Sequence, residues 1–268
     1  MSEDPQPLTE AVVVERLRSA GCVFAEDEAR MLVAEADSPA CLSAMVEARA
    51  TGLPLEQVLG YAMFCGLRIE LEPGVFVPRR RTEALVTEAV ALARAAGPRP
   101  VVVDLCCGSG AVGAALATAV EPIELYAVEI DPVAVRCARS NLATWGADVF
   151  AGDLFDPLPD NLHGRVDVLV ANVPYVPTHA IATMPPEARL HEPRVALDGG
   201  PDGLDVLRRV TAEAGRWLSP TGSLLVETSE TQALAAVKAF ASGGLVASVV
   251  TDEDVGATVV VGHPAVTT

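Results

Sequence analysis

The chain contains one lysine, Lys238; its 19 basic residues face 36 acidic ones, for a formal charge of −17. Nucleic-acid binders neutralise several phosphates with a basic surface. Here the arginines are scattered, with Arg79-Arg80-Arg81 the only cluster. Direct DNA or RNA binding is therefore disfavoured, although the charge on one face can differ from the total. The acidic excess by itself serves solubility. The six cysteines show no Cys-x-x-Cys spacing and the four histidines no paired spacing, so no metal site is expected. Adjacent thiols such as Cys106 and Cys107 are poor disulfide partners, and reduced, mostly buried cysteines are expected. No charge-free apolar run approaches the ~20 residues of a spanning helix. Met1-Ser2-Glu3-Asp4-Pro5 is acidic and lacks the order of a signal peptide. The expectation is a soluble, cytoplasmic protein with no membrane partner.

What is present is apolar and ordered. Half of the 268 residues are hydrophobic, enough for one full domain and a small second one. From about Leu8 to Cys65 apolar residues recur at three- and four-residue spacing. Leu17, Ala20, Met31, Leu32, Ala36, Met45 and Val46 read as inward-facing helical positions. A last helix is expected from Leu55 to about Met63. A hairpin-like stretch from Leu67 to Pro78 follows, turning at Glu72-Pro73-Gly74. From Val101 short β-rich runs alternate with helical ones. Strands are expected at Val101–Leu105, Glu124–Glu129, Asp148–Phe150, Val166–Ala171, Gly222–Glu227, Leu245–Val250 and Thr258–Gly262. Such alternation predicts an α/β fold with a mostly parallel, doubly wound sheet. The last two strands lie too close for a crossover and should pair antiparallel. The domain reading is a helical substrate-recognition unit over residues 1–66, a hairpin linker and first helix over 67–98, and the main α/β domain over 99–268.

Four motifs in this region carry chemistry. The first strand runs into Asp104, Cys106, Gly108 and Gly110 before a helix. Small residues there let the backbone approach a ligand, and the helix N-terminus presents free N–H groups. The second strand ends in Glu129, at the distance where a ribose-binding acid belongs. Asp131-Pro132 reads instead as an N-cap and first helical proline. After the third strand, Asp153 suits an exocyclic amine and Leu154 or Phe155 a purine face. The fourth strand ends in Asn172-Val173-Pro174-Tyr175. The Asn172 side-chain oxygen and the Val173 carbonyl can each accept one N–H of an incoming NH₂ group. Pro174 fixes its own φ and restricts Val173, while Tyr175 adds an aromatic face. With a methyl sulfonium opposite, these are the parts for nitrogen methylation.

The ordered series resembles the class I S-adenosylmethionine-dependent methyltransferases, a Rossmann-like fold, and more fully the HemK/PrmC family of protein-(glutamine-N5) methyltransferases. The likeness runs from about Gly52 to Gly262. It rests also on Gly52-Leu53-Pro54-Leu55, on Val75-Phe76-Val77-Pro78-Arg79 with Thr82-Glu83, and on Glu192-Pro193-Arg194-Val195-Ala196-Leu197 followed by Gly199-Gly200-Pro201-Asp202-Gly203-Leu204. It implies methyl transfer to a glutamine of a protein, a peptide-chain release factor above all. Asn172, Val173, Pro174 and Tyr175 would be catalytic. Asp104, Cys106, Gly108, Gly110, Glu129, Asp153, Leu154 and Asn172 would bind S-adenosylmethionine. The Arg79 block would touch the cofactor's methionine end or brace the N-terminal unit. Departures mark a divergent paralogue: Val173 replaces the first proline of Asn-Pro-Pro-Tyr, and Cys106-Cys107 replace small residues. Arg80-Arg81 replace a proline and an acid, and Ser229 replaces a glycine. The rival readings are a nucleic-acid amino methyltransferase and a paralogue that binds without catalysis.

Overall fold

The computed structural model describes residues 8–265. Four helices come first: α1 (Glu10–Ser19), α2 (Ala25–Glu35), α3 (Pro39–Ala50) and α4 (Leu55–Leu59). Their apolar faces share a core of Val13, Leu17, Ala29, Leu32, Leu42 and Val46, to which Leu59 adds from the edge. Of the expected inward positions, Ala20 is exposed, because it caps α1 rather than lying within it. Ser38 accepts from the Cys41 N–H and Pro39 opens α3, a start that needs no further support. Arg49 is buried and holds Glu28 through Nε at 2.6 Å and Nη2 at 3.1 Å.

The hairpin lies earlier than the sequence suggested. The helix from Leu55 stops at Leu59 because Gly60 takes a left-handed φ of 77°. Strands β1 (Tyr61–Phe64) and β2 (Leu67–Glu70) then pair antiparallel, Phe64 opposite Leu67. The turn is Cys65-Gly66, with φ of 48° and 76°, the double positive φ that a two-residue hairpin loop requires. Cysteine is an unusual residue there, so Glu72-Pro73-Gly74 was the louder signal. Cys65 is also exposed. All six cysteines are unpaired, but only Cys107 and Cys137 are buried, against the expectation that most would be.

The rest is α5 (Glu83–Ala96), β3 (Val101–Leu105), α6 (Ala111–Ala119), β4 (Glu124–Glu129), α7 (Pro132–Leu142), β5 (Asp148–Ala151), β6 (Val166–Ala171), α8 (Pro186–His191), α9 (Arg194–Leu197), α10 (Asp205–Trp217), β7 (Leu218–Thr228), α11 (Ala233–Ser242), β8 (Leu245–Asp252) and β9 (Ala257–Pro264). Seven strands form one sheet in the order β5-β4-β3-β6-β7-β9-β8. The first five of that order run parallel, and β9 enters antiparallel to both β7 and β8. Helices cover both faces, which is why β3 and β6 read as near-continuous apolar runs. One face packs Val103, Leu105, Leu169 and Ala171 against α10 and α11. The other packs Val102, Val168 and Val170 against α5 and α6. No helix among the described residues is long and apolar enough to cross a membrane. Between β3 and β6 the chain order reverses, and this is where open α/β sheets bind ligands, beyond the carboxyl ends of the strands.

Candidate active site

A cleft opens at that switch point. Of the residues singled out in the sequence, Cys106, Gly108, Glu129, Asp153, Leu154, Asn172, Val173, Pro174 and Tyr175 all line it. Asp104 and Gly110 do not; they shape it from behind. Asp104 is 2% exposed and accepts the Gly113 N–H at 3.0 Å, fastening β3 to α6. Burial pushes its carboxyl up to about 7, opposed by that hydrogen bond and reinforced by the Glu129 charge. Gly110 caps α6 with a φ of +79°, and a Cβ there would meet Leu142 Cγ at 3.0 Å. The loop between them is tight: Cys106 and Gly108 also take positive φ. Burial pushes the Cys106 thiol up, with Glu129 and Asp104 adding to the effect, so it is a neutral wall rather than a nucleophile.

Glu129 is held by backbone on both oxygens. Its Oε2 accepts from Gly108 at 2.9 Å, and Oε1 from Ile130 at 2.8 Å and Asp131 at 3.0 Å. Both lone pairs of Oε1 are thereby engaged, and Oε2 keeps one for a ligand. Asp131 accepts from Val133 and Ala134 as the N-cap of α7, the structural role read from the sequence. Asp153 is paired with Arg209, Oδ2 to Nη2 at 2.8 Å. Arg209 also lines the cleft, and lying on α10 far along the chain it gave no signal in the sequence.

The tetrapeptide continues β6, and its downstream half is clamped. Val176 donates to Leu197 O and accepts from Gly199 N, and Thr178 donates to Gly200 O. Gln232 Nε2 donates to Tyr175 O at 3.0 Å. The Gly199–Gly203 turn explains itself at this contact. A Cβ on Gly199 would lie 2.6 Å from Pro174 O, and one on Gly203 2.3 Å from Tyr175 O. Val173 is 2% exposed and its side chain belongs to the sheet core. The upstream half is left open. Among the described residues none hydrogen-bonds the Asn172 side chain or the Val173 carbonyl.

Tyr175 does more than offer a ring. Its hydroxyl accepts from Arg81 Nη2 at 2.6 Å and donates to Glu227 Oε1 at 3.2 Å. Burial and the Glu227 charge push the phenol up to about 12, Arg81 opposing. Glu227, at the carboxyl end of β7, also accepts from Arg81 Nε at 2.9 Å. Arg79 pairs with Glu192 at 2.6 Å, and both line the cleft with Phe76 and Met184. Glu192 is buried and takes the Val77 N–H as well. So the Arg79 block and the Glu192 block, far apart in sequence, make one wall.

This sheet, with a ligand cleft at its switch point, is the class I methyltransferase fold. Residues 67–197 match the family model "Methyltransferase small domain". A methyltransferase from Pyrococcus furiosus superposes with a TM-score of 0.53 at 17% identity, over 74% of this chain and 88% of that one. The release factor glutamine methyltransferase of Mycolicibacterium smegmatis is 41% identical over 225 residues, 81% of this chain and 78% of that protein. A 4-amino-L-phenylalanine/4-methylamino-L-phenylalanine methyltransferase of Streptomyces pristinaespiralis is 40% identical over 199 residues, 73% and 67% respectively. The chain belongs to the release factor glutamine methyltransferase family and is a methyltransferase.

Proposed function

We propose that the protein transfers a methyl group from S-adenosylmethionine to the side-chain amide nitrogen, N5, of a glutamine in a peptide-chain release factor. The observation that carries this reading is the pair of unspent acceptors, Asn172 Oδ1 and Val173 O, at the wall of the cleft. They suit the two N–H bonds of one primary amide. An amide nitrogen is a poor nucleophile because its lone pair is delocalised. Accepting both N–H bonds holds it in one orientation and favours the positive charge that develops on it, effects worth several kcal/mol each in enzymes generally.

The cleft also suits the methyl donor, which supplies an electrophilic methyl on a sulfonium. Glu129, immobilised by three backbone N–H groups, takes a ribose hydroxyl on the free site of Oε2. Asp153 Oδ1 is left for an exocyclic amine, and Leu154 offers an apolar face. Gly108 and Cys106, both at positive φ, turn the backbone toward the ligand, and the α6 N-terminus stands beyond them. The helical unit ahead of the sheet recognises the protein partner. A nucleic-acid acceptor is not favoured, given the family and a charge of −17.

The test is methyl transfer from labelled S-adenosylmethionine to a release factor, comparing wild type with Asn172→Ala. We expect label on one glutamine. The variant should lose 10²-fold or more in kcat/KM, in line with loss of a single transition-state hydrogen-bonding group, with cofactor affinity within a few-fold. Label on another protein would change the target. No label on any acceptor, with intact cofactor binding, would overturn the reading.

A further inference from the structure

The acceptor side of the cleft carries a cation that is fixed from behind and open in front. Arg81 stands in the short turn Arg80–Thr82 ahead of α5. Its Nε is committed to Glu227 and its Nη2 to the Tyr175 hydroxyl, at 2.9 and 2.6 Å. Glu227 is 1% exposed, whereas the Arg81 side chain is 45% exposed, and Arg81 lines the same cleft as Asn172. A guanidinium has five N–H donors in a rigid fork. Among the described residues the Nη1 group has no partner. Arg79 repeats the pattern, with the side chain of Glu192 fully buried behind it. Both carboxylates are withdrawn into protein and both cations face outward, so each pair presents its positive end to a bound molecule. Two members of the arginine triplet of a strongly acidic chain, Arg79 and Arg81, thereby line the cleft that holds Asn172.

A guanidinium locked in one pose with a free edge is a ready receptor for a carboxylate, because the ordering cost is already met by its other bonds. We propose that Arg81 is a specificity-determining residue that reads a carboxylate on the acceptor beside the transferable nitrogen. The acceptor class is then a glutamine carrying a nearby carboxylate. Its source is an acidic side chain next to the glutamine or the α-carboxylate of a glutamine that ends its chain. Glu227 is the positioning residue: it holds the guanidinium edge toward the cleft and the Tyr175 hydroxyl with it. This rests on the glutamine reading above.

The experiment measures kcat/KM for wild type, Arg81→Asp, Arg81→Gln and Glu227→Gln. One acceptor set is a release factor with Ala, Glu or Lys placed beside the accepting glutamine. The other is a short peptide ending in glutamine, as free acid or as amide. For wild type we expect the Glu form, the free-acid peptide, or both to exceed its neutral counterpart by about tenfold. Lys should rank last, the difference should lie mainly in KM, and it should shrink with added salt. Whichever set shows the preference identifies the source of the carboxylate. Arg81→Gln should bring the ratios near one and Arg81→Asp should invert them. Glu227→Gln should weaken discrimination while keeping its sign. Circular dichroism checks that each variant folds, and the glutamine variant alone decides if the aspartate one does not. Equal kcat/KM across charges in wild type, or an unchanged order in Arg81→Gln, overturns the proposal and leaves the glutamine reading standing. No transfer to any glutamine acceptor overturns both.

Discussion

At the scale of the residue, the same side-chain type does different work according to what surrounds it. Asp104 lies within β3, Glu129 ends β4 and Asp153 follows β5, three neighbouring strands of the sheet. Glu129 is held by backbone donors, Asp153 is paired with Arg209, and Asp104 is sealed beneath the loop. An acid whose carboxyl is raised by folding keeps its proton in the native state at pH values where the unfolded chain has lost it. Its contribution to stability therefore declines as pH climbs from the ordinary aspartate range to about 7. A shift from 3.8 to about 7 corresponds to roughly 4 kcal/mol at most. Urea unfolding of wild type and Asp104→Asn at pH 5 and pH 8 checks this. The variant should gain on wild type as pH rises, and equal pH dependence of the two proteins would refute it.

At the scale of the element, the strand end that carries the tetrapeptide is built by its neighbours. Val173 is buried where the related tetrapeptide has proline, and the segment is instead held by hydrogen bonds along Val176 and Thr178. The glycine turn fits against it with no space for a Cβ. Gly203→Ala places an atom on Tyr175 O, at a φ of +78° that alanine resists. The tetrapeptide must then shift, and a displacement near 1 Å costs about 10²-fold in rate. We expect kcat to fall by that order while calorimetry gives a cofactor Kd within about threefold of wild type. A variant with unchanged kcat would show that the turn does not position the clamp.

At the scale of the molecule, the helical unit is joined to the catalytic half at a few points. Arg49, buried with Glu28, also reaches Glu187 of α8 at 2.7 Å, and Gln57 donates to Val75 O at 3.2 Å. The helices through Leu59 have their own core. By contrast β1 supplies Phe64 to the core shared with Leu85 and Ala89. We therefore propose the functional boundary at Gly60. Removing residues 1–59 should abolish methylation of a release factor and leave a folded remainder that binds S-adenosylmethionine. Persistent methylation of the protein substrate would sink the assignment of partner recognition to the helices.

Much was legible in the linear chain. The inner strands β3 and β6 follow from short, largely apolar runs, because a strand covered on both faces must be largely apolar. The antiparallel end follows from the length of a connection. The N-cap at Asp131 follows from its proline, and the tetrapeptide read from its acceptors lines the cleft. The β1–β2 hairpin was misplaced, since Cys65 at positive φ carries no propensity that marks it. What only the tertiary structure decided are the partnerships across the chain: Arg81 with Glu227, Arg79 with Glu192, Asp153 with Arg209, and Gly203 against Tyr175. Local composition determines which elements form. Which charges meet at the cleft depends on where the sheet order brings their strand ends, and sequence separation says nothing about that distance.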